Sequence, residues 1–347
     1  MEKFKAKIGV PHNLLLVGSL GLSDAEEVFR ILATSIGTAA KRYPDGETGE
    51  RGNWIRWQER VLDGHAQLDC VHPPSTKNNV ERRFFKLRPE INAGEVSFGM
   101  LGYAEYAIES YRLFISLKQD GTIPPATRFQ VALPTPVAFL TGFVALEDRA
   151  AVETAYGTAM KGEIATMLEA IPPDELSIQW DVCYEVVGHD GGCELYYDDI
   201  LAGSLARIAA LSGEVPEPVE LGFHLCYGDP GHQHIIEPKD SATSVAFANG
   251  ICANAPRAVN WIHVPVPRDR DDDKFYAPLA ELELNSETEL YLGLVHYSDG
   301  AAGTRRRLAV AKRYVSDFGI AAECGFGRRD PTTIPDLLRI HLTGQDA

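Results

Sequence analysis

The chain has 347 residues, with 33 Lys and Arg against 49 Asp and Glu, a net charge of −16, and 45% hydrophobic and 24% charged residues. This is the composition of a globular protein with a sizeable core, built as two domains or as one large α/β barrel. It argues against a nucleic-acid partner, since phosphate neutralisation needs a basic surface, and no uncharged apolar run of about 18 residues offers a membrane span.

Met1–Lys7 carries charges but no apolar stretch ahead of a small-residue cleavage site. No secretory leader is read, and a cytoplasmic location is expected. Apolar or β-branched runs follow at Leu14–Ser19, Arg128–Leu133, Leu176–Val182, Val219–Cys226, Ala258–Val266, Leu290–His296 and Ile320–Gly325. They alternate with helical patterns at Ser23–Ile36, Tyr103–Lys118, Ala150–Ala170, Asp199–Leu211, Ser241–Ala253 and Ala302–Phe318. Such alternation yields a parallel sheet, and seven or eight units close most naturally into a (β/α)8 TIM barrel; an open doubly wound sheet is the competing architecture. Residues 1–347 are read as one barrel domain, with a long excursion at about 38–100 that holds a helical stretch, Asn53–Leu62. The basic triplet Arg305–Arg307 falls in a helical pattern and reads as a solvated face, as does the acidic run Asp269–Asp273 as a loop.

Six cysteines in a chain of this length are too sparse for a disulfide scaffold, so they are expected to be buried thiols, ligands or nucleophiles. Barrel enzymes carry their chemistry at the C-terminal ends of the strands, and here those ends are polar. His224 and Cys226 are two apart, so their side chains share a face. Cys324 ends the last strand, which a closed barrel returns to the neighbourhood of the first. Two thiolates and an imidazole suit Zn²⁺ with an open fourth position, and His263 has the parity to join them. Read from spacing alone, the thiols also fit as small core residues and His224 as a hydrogen-bonded strand residue. Cys70, Cys183, Cys193 and Cys252 read as structural. Asp181 closes an apolar strand, where a charge must be paired or functional. Glu47 lies in a glycine-rich loop and also fits a solvated turn. Asp229, His232 and His234 read as a surface loop, with a lid or substrate contact as the sharper option.

Taken together and in order, the strand ends resemble the catalytic barrel of cobalamin-independent methionine synthase, within the uroporphyrinogen decarboxylase-like superfamily. The motifs are Gly18-Ser19; Asp45-Gly46-Glu47 followed by Glu50-Arg51, with Asp where the family has His; Ile178-Gln179-Trp180-Asp181; Phe223-His224-Leu225-Cys226-Tyr227; Leu294-Val295-His296; and Glu323-Cys324-Gly325. They span nearly the whole chain. The resemblance implies zinc ligands at His224, Cys226 and Cys324, and substrate contacts at Ser19, Glu47 and Asp181 to an amino-acid thiol. It also implies proton transfer by His296, with Asp181 beside it in catalysis. The implied activity is a zinc-dependent methyl- or alkyltransferase, in which a metal-bound thiolate attacks an electrophilic carbon. The implied partners are a small-molecule thiol and a methyl or alkyl donor; homo-oligomer formation is left open.

Two departures stand out. The family's glutamate ligand falls near Pro265, which has no side-chain donor, so either His263 substitutes or three protein ligands remain. The folate-stacking tryptophan has no counterpart in Pro134–Leu140, and the family's second barrel is missing, which weakens the expectation of a folate donor. The alternative within the superfamily is a metal-free lyase or decarboxylase, with Asp181, Glu47 and His296 as acid/base groups and Arg51 or Arg128 for a substrate carboxylate. A binding protein on a spent barrel is the third reading.

Overall fold

A computed structural model of the protein describes residues 14–71 and 83–343, so the N-terminal segment read above for a leader lies outside the described residues. In chain order the elements are β1 (Leu14–Leu15), α1 (Ala25–Ser35), β2 (Arg42–Pro44), β3 (Leu68–Val71), β4 (Phe84–Leu87), α2 (Tyr103–Gln119), β5 (Arg128–Pro134), α3 (Pro136–Phe143) and α4 (Arg149–Ala170). They continue with β6 (Leu176–Val182), α5 (Tyr184–His189), α6 (Ile200–Ser212), β7 (Glu220–Leu225), α7 (Ala242–Asn254), β8 (Trp261–Pro265) and α8 (Asp273–Tyr276). The last are β9 (Glu289–Val295), α9 (Gly300–Ala311), β10 (Gly319–Ala322) and α10 (Ile334–Thr343).

Eight strands pair in parallel in the order β1-β10-β9-β8-β7-β6-β5-β2. Parallel bridges Leu14–Ala40 and Ser19–Gly46 join the two edges. The chain is therefore a single-domain (β/α)8 TIM barrel, as the strand–helix alternation leads one to expect. Helix starts follow their capping chemistry: Asp24 accepts from the Glu27 N–H ahead of α1, and Asp199 from the Ala202 N–H ahead of α6. No helix among the described residues is long and apolar enough to cross a membrane.

The structure differs from the sequence reading in three places that matter. The second barrel strand, β2, lies inside the segment read as excursion, because three residues are too short a run to register as a periodic pattern. The excursion proper then leaves the C-terminal end of β2, runs through 3₁₀ turns at Gly49–Val61 and the antiparallel β3–β4 hairpin, and returns at α2. Arg307 is not solvated. It is 1% exposed, and its guanidinium bonds the Leu294 and Arg268 carbonyls and both oxygens of Asp299.

The barrel interior is filled rather than open. Trp261 on β8 reaches across to Arg42, whose guanidinium carbon lies 4.1 Å from the ring centroid. Gly222 on β7 admits that indole, since a Cβ there would sit 1.8 Å from it. Arg42 is 3% exposed and bonds Glu220 and Glu289, so charge at the N-terminal end of the barrel is buried but paired. Breaking such a buried cluster from one side strands the remaining charges. Arg42→Met is expected to cost about 3–5 kcal/mol in denaturant unfolding, with little effect on ligand binding at the opposite end.

Candidate metal centre and substrate cavity

The C-terminal ends of the strands open into a cavity of about 550 Å³. Its polar floor comes from Ser19 after β1, Glu47 after β2, Asp181 and Cys183 at the end of β6, His224 and Cys226 at the end of β7, and Cys324 after β10. Its apolar wall comes from the excursion (Trp54, Ile55), from Phe143 and Tyr184, and from Ile235 in the loop after β7. Arg328 lies at the rim and donates to the backbone and side chain of Asp229. Asp229 is thus part of the cavity wall rather than a detached surface loop.

His224, Cys226 and Cys324 are brought together, with one donor atom from each lying within 4.8 Å of the other two. The two sulfurs are 3.8 Å apart. The Cys226 thiol is pushed well above its ordinary range by its contact with Cys183 and by burial, and Cys324 by its contact with Cys226 and by burial. His224 is 2% exposed, and burial, reinforced by the neighbouring His263, holds its ring neutral. Its Nε2 is buried with no hydrogen-bond partner among the described residues. An orphaned imidazole nitrogen beside two thiols is the donor set of a soft to borderline metal, so these residues fit zinc.

His263 is not in that group. It faces His224 in register across β7 and β8, and both of its ring nitrogens are occupied: Nδ1 lies 2.7 Å from His224 Nδ1 and Nε2 lies 3.0 Å from the Ala322 carbonyl. In this arrangement the fourth-ligand role expected of His263 has no free ring nitrogen to fill it. His296 also fails to reach the cavity walls. Its Nε2 bonds the Val266 carbonyl at 2.8 Å, its Nδ1 lies 3.6 Å from Glu323, and burial with the nearby Arg307 charge lowers it to about 3. A ring that is neutral at pH 7 with its proton given to a carbonyl is badly placed for proton transfer to a ligand.

The carboxylates are held by the loops. Asp181 accepts from Gln179 Nε2 at 3.0 Å and from Trp54 Nε1 at 3.2 Å, yet burial raises it to about 7. Glu47 is raised to about 8 by burial and by the charge of Asp181. Its backbone is left-handed (φ 46°), as is that of Trp54 (φ 48°). Each such non-glycine residue costs on the order of 1–3 kcal/mol and tends to occur at functional sites. Asp45 stabilises the first of these turns: Oδ1 accepts from the Glu47 N–H, while Oδ2 accepts from Arg51 and Ser110, each at 2.8 Å. Ser19 Oγ accepts from the Gly327 N–H at 3.2 Å.

Sequence reasoning assigned Cys183 to structure, although it stands two residues after Asp181 and so shares its face, the same parity that picked out His224 and Cys226. The clamp from Trp54 onto Asp181 had no such signal, because a kinked 3₁₀ segment has no period to read.

No family model matches the chain, and no curated protein matches it in sequence. Solved structures with the same barrel include a B12-independent methionine synthase from Shewanella sp. W3-18-1 in complex with selenomethionine (12% identity, TM-score 0.63, 97% of each chain). Others are a protein from Listeria monocytogenes described provisionally as a vitamin-B12 independent methionine synthase (15%, 0.53, 93% of this chain and 86% of that one) and a methyltransferase from Methanosarcina mazei (10%, 0.52, 95% and 94%). At these identities the likeness establishes the fold.

Proposed function

We propose that the protein is a zinc-dependent methyl- or alkyltransferase that activates a small-molecule thiol. The observation that carries this reading is the convergence of His224, Cys226 and Cys324 at the floor of a cavity whose other polar groups are Glu47 and Asp181. Bound zinc would lower the pKa of a coordinated thiol and present it as a thiolate nucleophile. The chain's own residues do the rest. Glu47 and Asp181, two carboxyls that line one cavity and raise one another's cost of ionisation, suit an ammonium group, which favours ionisation of both. Ser19 accepts from Gly327 and keeps its hydroxyl hydrogen for a ligand oxygen. Trp54, Phe143 and Ile235 exclude water and suit the carbon skeleton of a donor. Asp181, raised to about 7, can hold or release a proton near neutrality, the task expected of His296. The selenomethionine complex of the Shewanella protein supports an amino-acid ligand here, and the resemblance of the motifs supports the reaction class.

The perturbed carboxyls also favour metal-free acid/base chemistry of the lyase type. That reading needs His296 in the cavity, and it leaves the paired thiols without a role. Metal analysis of protein purified without chelator separates the two: about one zinc per chain is expected, with turnover abolished by chelation and restored by zinc. Full activity in a metal-free preparation would select the lyase.

A further inference from the structure

His263 is buried, contributes no donor to the metal group, and is still tied to it by one short contact. Two imidazole nitrogens 2.7 Å apart, His224 Nδ1 and His263 Nδ1, require one to donate and the other to accept. The choice is settled at the other side of the His263 ring. Nε2 lies 3.0 Å from the Ala322 carbonyl, which can only accept, so the single hydrogen of neutral His263 is on Nε2. His263 Nδ1 is then a lone pair, and the shared hydrogen belongs to His224 Nδ1. That leaves the lone pair of His224 on Nε2, the buried atom with no hydrogen-bond partner among the described residues.

We infer that His263 is a positioning residue that locks His224 in the Nδ1–H tautomer and so presents Nε2 as the donor to the metal. The metal part of this rests on the function proposed above; the tautomer does not. A histidine ligand commonly gives its second N–H to a carbonyl or carboxylate, which fixes the ring and strengthens its basicity. Here an imidazole is inserted between ligand and carbonyl. The carbonyl belongs to Ala322, two residues before Cys324, so the chain of bonds also ties the strand carrying His224 to the strand carrying Cys324. Gly293 keeps room for this arrangement: a Cβ there would lie 3.1 Å from His263 Nε2 and 2.7 Å from the Glu323 Cα.

Nitrogen-15 spectra of the histidine rings in metal-free protein test the tautomer without any substitution. The expected pattern is His224 protonated at Nδ1 and His263 at Nε2; a His224 found protonated at Nε2 overturns the inference. Zinc titration against a competing chelator tests the consequence. His263→Leu is expected to weaken zinc binding about 10–100-fold. His263→Gln should restore most of that loss, because its carboxamide oxygen accepts from His224 while its NH₂ donates to Ala322. Wild-type affinity in His263→Leu would overturn the positioning role. A wild-type protein that binds no zinc would sink the metal reading, and the ring spectra would still decide the tautomer.

Discussion

Cys324→Ala is expected to weaken zinc binding by on the order of 10²–10³-fold and to reduce turnover to background. The size follows from zinc-peptide binding free energies of about 10–16 kcal/mol spread over four ligands, or about 2.5–4 kcal/mol for each. Cys324 stands just after a strand end and is partly covered, packed against Cys183 and Cys226, and its truncation to Ala removes one sulfur atom and leaves the backbone unchanged. The metal-free variant should melt within about 1 kcal/mol of the metal-free parent. Cys226→Ala should lose zinc as deeply, since its sulfur is 3.8 Å from that of Cys324 and serves the same donor group. Cys183→Ala is the internal control: Cys183 touches Cys226 but lies outside the donor group, so zinc should stay bound. Chelator competition on the three variants reads all of this without needing the substrate. Retention of parental affinity in Cys324→Ala would remove the thiols from the metal account.

The barrel was legible because its evidence is repetitive. Long helical stretches alternating with apolar strands such as Leu176–Val182 repeat one unit along the chain, and the parity of His224 and Cys226 follows from the period of a strand. Most of the elements that escaped are short or wholly buried, although α10, ten residues with both buried and exposed positions, escaped as well. β2 has three residues, and every residue of α3 is buried, which leaves no polar face to show a helical period. Within the site, the residues on strand ends could be named and the relations between them could not. Register across β7 and β8 places His263 against His224, and only three-dimensional closure places the Ala322 carbonyl behind it. His296 fails for the same reason. Its position at the end of β9 matched the motif, but its ring bonds Val266 on the neighbouring strand end and stays out of the cavity. Arg307 shows the converse, a charge that composition would place in water and that a carboxylate and two carbonyls hold inside.

Metal-free, ligand-free protein is expected to lose stability as pH rises from about 6.5 to about 8. Glu47 and Asp181 carry the effect together with Glu185, which burial also raises to about 7; below about 6.5 the buried neutral rings of His224, His263, His296 and His341 oppose it. In the unfolded chain such carboxyls release their protons near pH 4, whereas burial raises Asp181 to about 7 and burial with the Asp181 charge raises Glu47 to about 8. Above about 6.5, where histidines of the unfolded chain have also released their protons, the folded state binds more protons than the unfolded one, so stability falls with increasing pH and levels off above the folded values. At about 1.4 kcal/mol per pH unit the two shifts have an upper bound of several kcal/mol. Glu47 is partly open to the cavity, and water there relieves some of the cost, which brings the expected loss to a few kcal/mol for the pair. Glu47→Gln removes the repulsion at its source. It should match the parent at pH 5, exceed it by about 1–3 kcal/mol at pH 9, and flatten the profile between; thermal melting across that range is the measurement. A parent profile that climbs from about pH 6.5 to about pH 8 would show that the carboxyls are not buried as acids. The same pair supplies a second readout tied to function. An amine ligand between Glu47 and Asp181 lets both ionise, so its binding should tighten as pH approaches 8 and should abolish the downward slope. In Glu47→Gln the gain in apo stability should come with weaker amine binding, because the charge that strains the empty cavity is the charge that holds the ligand.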